Sequence, residues 1–314
     1  MQIYDFNAIH IGKAAKIAMQ NYDEERRYIP ALPPLGKTNK IPDLTPYAQN
    51  NLGVAAFDKD TMLGFLCAAP PFENAFNITG LTGVFSPMGA NGAVGENRAN
   101  IYAELYRAAG ARWAKACAQS HAVCLYAHDK EALTQFYRYG FGVRCVDAIR
   151  EIRKIEICRP LCEGYSLFEP APEDILKILP LYNMLGRGFI ESPTFMVKPP
   201  TNESAFLNEY KTSRPVYLAA EYHGKTVAFI KAERDGETFI KNTDGYLHIN
   251  GAYCLPEHRS KGVMQNLLNM LIQKLKIQGY TRLGVDFESF NPSGDFWSKY
   301  FAEYTHGVVR RIDG

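Results

Sequence analysis

The sequence predicts an α+β fold built from two tandem halves, each a mixed, twisted sheet with helices on both faces. Three observations lead there. Strand-like and helix-like periods alternate along the whole chain. The order of those segments over residues 1–157 is repeated over residues 164–314. The length of 314 residues, with 46% hydrophobic and 22% charged side chains, suits two packed domains.

Each half opens on a short strand pattern, IYDF and YSLFEP. A helical pattern follows, and in the second half it begins near Glu173, with Pro172 and acidic residues at its start. A pair of strands around a turn comes next, NLGVAAFDKDTMLGFLCAA and PVYLAAEYHGKTVAFIKAER, the latter turning at His-Gly-Lys. A further strand is expected in ITGLTGVFSP and in GYLHINGAYCL. Amphipathic helices then run through NIYAELYRAAGARWAKACAQ and VMQNLLNMLIQKLKIQG. Each half continues with a strand, AVCLYAHD or TRLGVDFESF, and a short aromatic helix, EALTQFYRYGF or GDFWSKYF. The stretch IEICRPLCEG, residues 155–164, is expected to be a strand and the linker between the halves. Strands and helices in this order make a sheet with helices on its faces.

Composition removes several function classes. The formal net charge is +2. Residues 1–160 carry 18 Lys/Arg and 15 Asp/Glu, and the remainder carries 17 and 18. Neither half is a polybasic module, so no nucleic-acid partner is expected. The seven cysteines form no Cys-x-x-Cys pair; they are expected as free thiols in a reducing, cytoplasmic setting, without a metal. No apolar run reaches the roughly 20 residues of a membrane span, and the N-terminus lacks a signal-peptide core.

The most informative stretch is CLPEHRSKGVMQNLLNMLIQKLKIQG, residues 254–279. The apolar residues Val263, Leu267, Leu268, Leu271, Ile272 and Leu275 form one buried stripe, and Gly279 ends the helix. The helix therefore starts near Gly262. Its first N–H groups lack intrahelical partners and carry partial positive charge. Arg259 and Lys261 add charge, and a glycine at 262 lets an anion approach the backbone. An ordinary strand–turn–helix connection with solvated basic residues is the alternative.

The segment Pro256-Glu257…Arg259-Ser260-Lys261-Gly262-Val263-Met264 resembles the signature of the GNAT N-acetyltransferase superfamily. There a Gln/Arg-x-x-Gly-x-Gly/Ala turn wraps the pyrophosphate of acetyl-CoA. The resemblance is strongest over residues 219–301 and extends to tandem GNAT proteins over nearly the whole chain. Met264 departs from the motif's last Gly/Ala, and its side chain is expected to point away from the phosphates. At the matching place the first half reads SPMGANGAVGENRANIY, without the motif. The first half is expected to have lost acetyl-CoA binding.

The resemblance implies transfer of an acetyl group from acetyl-CoA to an amine, with the second half active. It implies a backbone N–H donor within 252–255 for the thioester carbonyl. It places Tyr253, Cys254 and Leu255 along the pantetheine arm and Asn291 where it reaches CoA. It carries the acid role to Tyr300, because Trp297 falls at the family's usual tyrosine place. Cys254 itself is expected as a packed thiol. Candidate bases are His248, Asn250 through a water, Asp286 and Glu288. Asp286 and Glu288 share a strand face opposite Val285 and Phe287, and either attract a cationic amine or form a solvated strand end. A small primary amine is the expected acceptor. The alternatives are a protein N-terminus or lysine, and a non-catalytic acyl-CoA sensor. An aminoacyl-tRNA user fits the near-neutral charge poorly.

Overall fold

The computed structural model describes residues 1–193, 196, 199–291 and 293–312. The first half contains β1 (Gln2–Asp5), α1 (Ile11–Tyr28), α2 (Thr45–Gln49), β2 (Val54–Asp58) and β3 (Thr61–Leu66). It continues with β4 (Gly83–Ser86), β5 (Asn91–Ala93), α3 (Arg98–Lys115), β6 (Ser120–Tyr126), α4 (Lys130–Arg138) and β7 (Gly142–Glu151). The second half contains β8 (Tyr165–Phe168), α5 (Leu179–Glu191), α6 (Glu203–Ser213), β9 (Val216–Tyr222) and β10 (Lys225–Glu233). It ends with β11 (Tyr246–Cys254), α7 (Val263–Ile277), β12 (Arg282–Glu288), α8 (Gly294–Trp297) and β13 (Ala302–Arg311).

Alternation along the strands builds two layers of helix over each half. In the second half Tyr217, Ala219 and Phe229 pack with Ile175, Ile178 and Leu181 at and just before α5. Their neighbours Leu218, Ala220, Ala228 and Ile230 point the other way, onto the α7 stripe. Val263, Leu267, Leu268, Leu271, Ile272 and Leu275 are all buried there. The first half repeats the plan. Ala55, Phe57 and Phe65 meet Ala14, Ile17 and Ala18 of α1, while Val54, Ala56 and Leu66 meet Ile101, Leu105 and Trp113 of α3.

The sheet itself crosses the boundary between the halves. Among the described residues one sheet runs in the order β4-β6-β13-β7-β12-β11-β10-β9-β8, and a second runs β1-β2-β3-β5. The halves exchange their last strands. β7 pairs antiparallel with β12 of the second half, from Arg282↔Glu151 to Glu288↔Cys145. β13 enters the first half beside β6 and also pairs with β7. A fifth cluster fills the junction, with Tyr22 and Leu32 against Ile149, Phe239, Tyr246 and Tyr304. The split suggested at residues 157–164 therefore follows chain order, while the hydrogen-bonded sheet is continuous across it.

Several local expectations change. The helix expected from Glu173 is a 3-10 segment over Pro172–Ile178, and the α-helix begins at Leu179. Pro180 has no N–H to continue the ladder from the preceding turn, so it restarts the helix as a first-turn residue. The glycine-rich stretch after Ser86 contains the short strand β5, paired with β3. Residues 155–164 form no strand; β7 ends before them. Helix α6 and strand β13 were not anticipated. The hairpin turn is as expected, with His223 and Gly224 both at positive φ, which two-residue hairpin turns require.

Candidate functional site

β11 and β12 run parallel from Tyr246↔Arg282 to Ile249↔Val285 and then part. β11 stays with β10, and β12 stays with β7. Adjacent residues of a strand direct their peptide groups to opposite sides. The N–H of Leu255 donates to Val227 O on the β10 side. That alternation turns the N–H groups of Cys254 and Ala252 toward the opening, and Leu255 and Tyr253 away from it. The Cys254 carbonyl, on the open side, accepts from Arg259 Nε at 3.1 Å.

A cavity of about 1120 Å³ begins at this opening and reaches the N-terminus of α7. Ala252, Tyr253, Cys254, Gly262, Val263 and Tyr300 are among its walls. Ser260 (φ +60) and Gly262 (φ +80) curl the turn that leads into the helix. Among the described residues no side chain caps α7 at Gly262. Its first-turn amides therefore face the cavity with no acceptor from a cap. Arg259, Lys261 and, from the linker, Arg159 stand exposed around them. Arg159 donates to Ser260 O at 3.1 Å, which ties the linker to the turn.

The reason for a glycine at 262 differs from the expectation. A Cβ there would meet Pro160 O at 2.5 Å and Arg159 O at 2.8 Å. Gly262 is demanded by its left-handed φ and by the linker backbone, not by an approaching anion. Met264 also lines the cavity while packing partly on the core beneath α7. Cys254 is buried, and burial pushes its thiol up to about 11, so it is a poor nucleophile at neutral pH. Trp297 is core; Tyr300 packs on Phe296 at 5.1 Å and lines the cavity, with burial raising its phenol. Asn291 Oδ1 accepts from Ser293 N, and the residue lies on the cavity wall.

The candidate bases lie on the sheet face opposite α7. Val285 and Phe287 are buried under α7, and Asp286 and Glu288 face away from it. His248 is 1% exposed, with Tyr246 OH at 2.7 Å from Nδ1 and Asp286 Oδ1 at 2.5 Å from Nε2. Both ring nitrogens are engaged, so His248 holds Asp286 in place and presents nothing to a bound molecule. Burial opposes its charged form, but the bond to Asp286 and the surrounding carboxylates raise its pKa. Glu288 is partly buried, with Arg144 Nε at 3.6 Å. Burial pushes its carboxyl up to about 7; Arg144 opposes the rise, and Asp286 and Glu237 add to it. The Asn250 amide donates to Glu233 Oε1, and its Oδ1 is buried without a hydrogen-bond partner among the described residues.

Sequence reasoning missed Arg144 and Asp147, which β7 brings from the other half, and Arg159 of the linker. Nothing in their local sequence marks them, because their relevance arises only from pairing across more than a hundred residues.

The first half has the same fork, and it is closed. β4 leaves β6 after Ser86↔Val123, and β5 turns to β3. Asn91 fills the fork, its amide donating to Cys124 O at 3.1 Å and Ser86 Oγ at 3.1 Å, while Tyr102 OH donates to its Oδ1. The start of α3 is also occupied. Glu131 accepts the Ala99 N–H, Asn97 accepts that of Asn100, and Arg98 is paired with Glu24 and Asp129.

Residues 181–300 match the sequence family described as "Acetyltransferase (GNAT) family". No curated protein matches the sequence. Among solved structures, a GCN5-related N-acetyltransferase from Sphaerobacter thermophilus aligns with a TM-score of 0.59 at 12% identity, covering 99% of this chain and 96% of that one. The glucosamine N-acetyltransferase region of a fungal multi-domain β-N-acetylglucosaminidase aligns with a TM-score of 0.55 at 11% identity, over 98% of this chain and 38% of that one. At such identities the likeness speaks for the fold, and the fold it speaks for spans both halves. The second half thus carries a match to the GNAT family over residues 181–300, and the likeness over the full length is one of fold.

Proposed function

We propose that this protein is an acetyl-CoA-dependent N-acetyltransferase whose second half, residues 164–314, binds the cofactor and catalyses, while the first half, residues 1–157, is a degenerate partner. One observation carries the reading: the open β11–β12 fork leads directly into a cavity that ends on an uncapped helix N-terminus. Such an end attracts an anion. Arg159, Arg259 and Lys261 suit a pyrophosphate, and the long apolar-walled cavity suits a pantetheine arm. In the first half, Asn91 and the Arg98 cluster fill both places.

Acetyl-CoA supplies a thioester whose carbonyl carbon accepts the amine nitrogen as the C–S bond breaks. The chain's part is to hold and move charge. The N–H groups of Ala252 and Cys254, directed into the fork, are placed to stabilise a carbonyl oxygen that gains charge. Glu288, poised near neutrality and partly exposed, takes the proton of the amine. Asp286, steadied by His248, attracts a cationic substrate to the face that carries that base. Tyr300, which keeps its proton well into the alkaline range, gives it to the leaving thiolate.

The test is calorimetric titration with acetyl-CoA of wild type, Arg259→Ala and Lys261→Ala. One equivalent for wild type and several-fold weaker binding for each variant are expected. Two equivalents would restore the first half as a binding domain, and no binding would end the transferase reading.

A further inference from the structure

The face that carries Asp286 and Glu288 holds more carboxyl groups than the described residues pair off. Asp286 lies directly opposite Asp147 in the β12–β7 register. Like charges facing each other across strands destabilise a sheet. Glu288 shares the face, and Glu237, from the loop after β10, acts on both Asp147 and Glu288. Against these four carboxyl groups stand, among the described residues, one guanidinium, Arg144, and one imidazole, His248. The other acids nearby are matched: Glu233 pairs with the buried Lys231 at 2.7 Å, and Asp235 with Lys241 at 3.7 Å.

A second observation points to a missing cation. Asp147 is 4% exposed. Its Oδ2 accepts from the Thr305 hydroxyl, but its Oδ1 has no hydrogen-bond partner among the described residues. A buried polar atom left in that state is costly, more so when charged. The cluster is also reachable: Glu237 is exposed, and the Asp286 side chain is 35% exposed.

We infer that the acceptor is a di- or polyamine, whose non-reacting ammonium group is received by Asp286 and Glu237 and by the field of Asp147, a residue of the first half. The inference rests on the transferase reading and narrows its substrate class. Asp286 and Glu288 stand about 7 Å apart along the strand. Four methylenes span that distance, so one nitrogen meets the base Glu288 while the other rests at Asp286. Asp147 is a positioning residue that acts through the charge at Asp286. The exchange of β7 thereby gives the first half a part in choosing the substrate.

The test uses full-length protein with CoA bound at pH 8, above the value of about 7 to which burial pushes the Asp147 carboxyl, titrated calorimetrically with 1,4-diaminobutane and with 1-aminobutane. Wild type is expected to bind the diamine at least tenfold tighter. Glu237→Gln, at an exposed position, and Asp147→Asn are each expected to bring that ratio down to two- or threefold, with acetyl-CoA affinity unchanged. A structural role for Asp147 would not move the ratio. Equal affinity for the two amines in wild type, or a ratio unchanged in both variants, overturns the inference and leaves the transferase reading intact. Loss of acetyl-CoA binding in wild type overturns both.

Discussion

Gly262 and Gly279 bracket α7 and offer a matched pair of perturbations. Their φ angles are +80 and +82, so an alanine at either is strained alike. Holding a Cβ in that region costs about 1–2 kcal/mol. At Gly279 nothing lies within 4 Å of the added methyl, and the strain is the whole effect. At Gly262 the methyl meets Pro160 O at 2.5 Å and Arg159 O at 2.8 Å, and backbone must move. Overpacking of this kind adds about 1–3 kcal/mol. Gly279→Ala is therefore expected to cost about 1–2 kcal/mol, and Gly262→Ala about 2–5 kcal/mol. For a chain of 314 residues the unfolding entropy makes each kcal/mol worth roughly 1.5 °C in Tm. Urea titrations and thermal scans of the two variants, side by side, give the difference. Gly262→Ala should also weaken acetyl-CoA binding, because the helix start shifts with the linker, whereas Gly279→Ala should not. Equal destabilisation by the two variants would refute the claim that the linker is what excludes a side chain at 262.

The remaining predictions concern charge, access and topology. If Glu288 is the base, kcat/KM should rise with pH as its carboxyl ionises near 7 and level off above, and Glu288→Gln should lower turnover by about 10²–10⁴-fold; a profile flat from pH 6 to 8 counts against it. Asp147 is protonated in the fold up to about pH 7, while the unfolded chain loses that proton near 4, so its contribution to stability falls as pH rises between those values. Asp147→Asn should flatten that fall, and denaturation midpoints at pH 5 and pH 8 that drop as far as in wild type would contradict the reasoning. Cys158 and Cys162 are exposed, but only Cys158 lines the cavity, so acetyl-CoA should slow alkylation of Cys158 and leave Cys162 unchanged, as peptide mass mapping can read. Deleting the chain from residue 302 removes β13 and strips a pairing partner from both β6 and β7; no folded protein should result, and a soluble, cooperatively melting product would contradict the shared sheet.

The amino-acid sequence by itself determined what depends on near neighbours. The stripe Val263–Leu267–Leu271–Leu275 specifies a helix and its buried face, because a period near 3.6 admits no other element. The order of strands and helices and the turn at His223–Gly224 are legible for the same reason. Alternation along β12 correctly set Asp286 and Glu288 apart from Val285 and Phe287. Tertiary structure alone decided everything that required a distant partner. AEYTHGVVRR becomes β13 by entering between β6 and β7, and its own pattern does not name them. His248 reads as a base until Tyr246 and Asp286 occupy both its nitrogens. Gly262 reads as a place for an anion until the linker carbonyls arrive beside it. Asp147 has no meaning in its own stretch; register across the exchanged strand sets it against Asp286. Periodicity is a local property written in every few residues, whereas strand exchange joins segments more than a hundred residues apart, whose fit is tested only when the chain has folded.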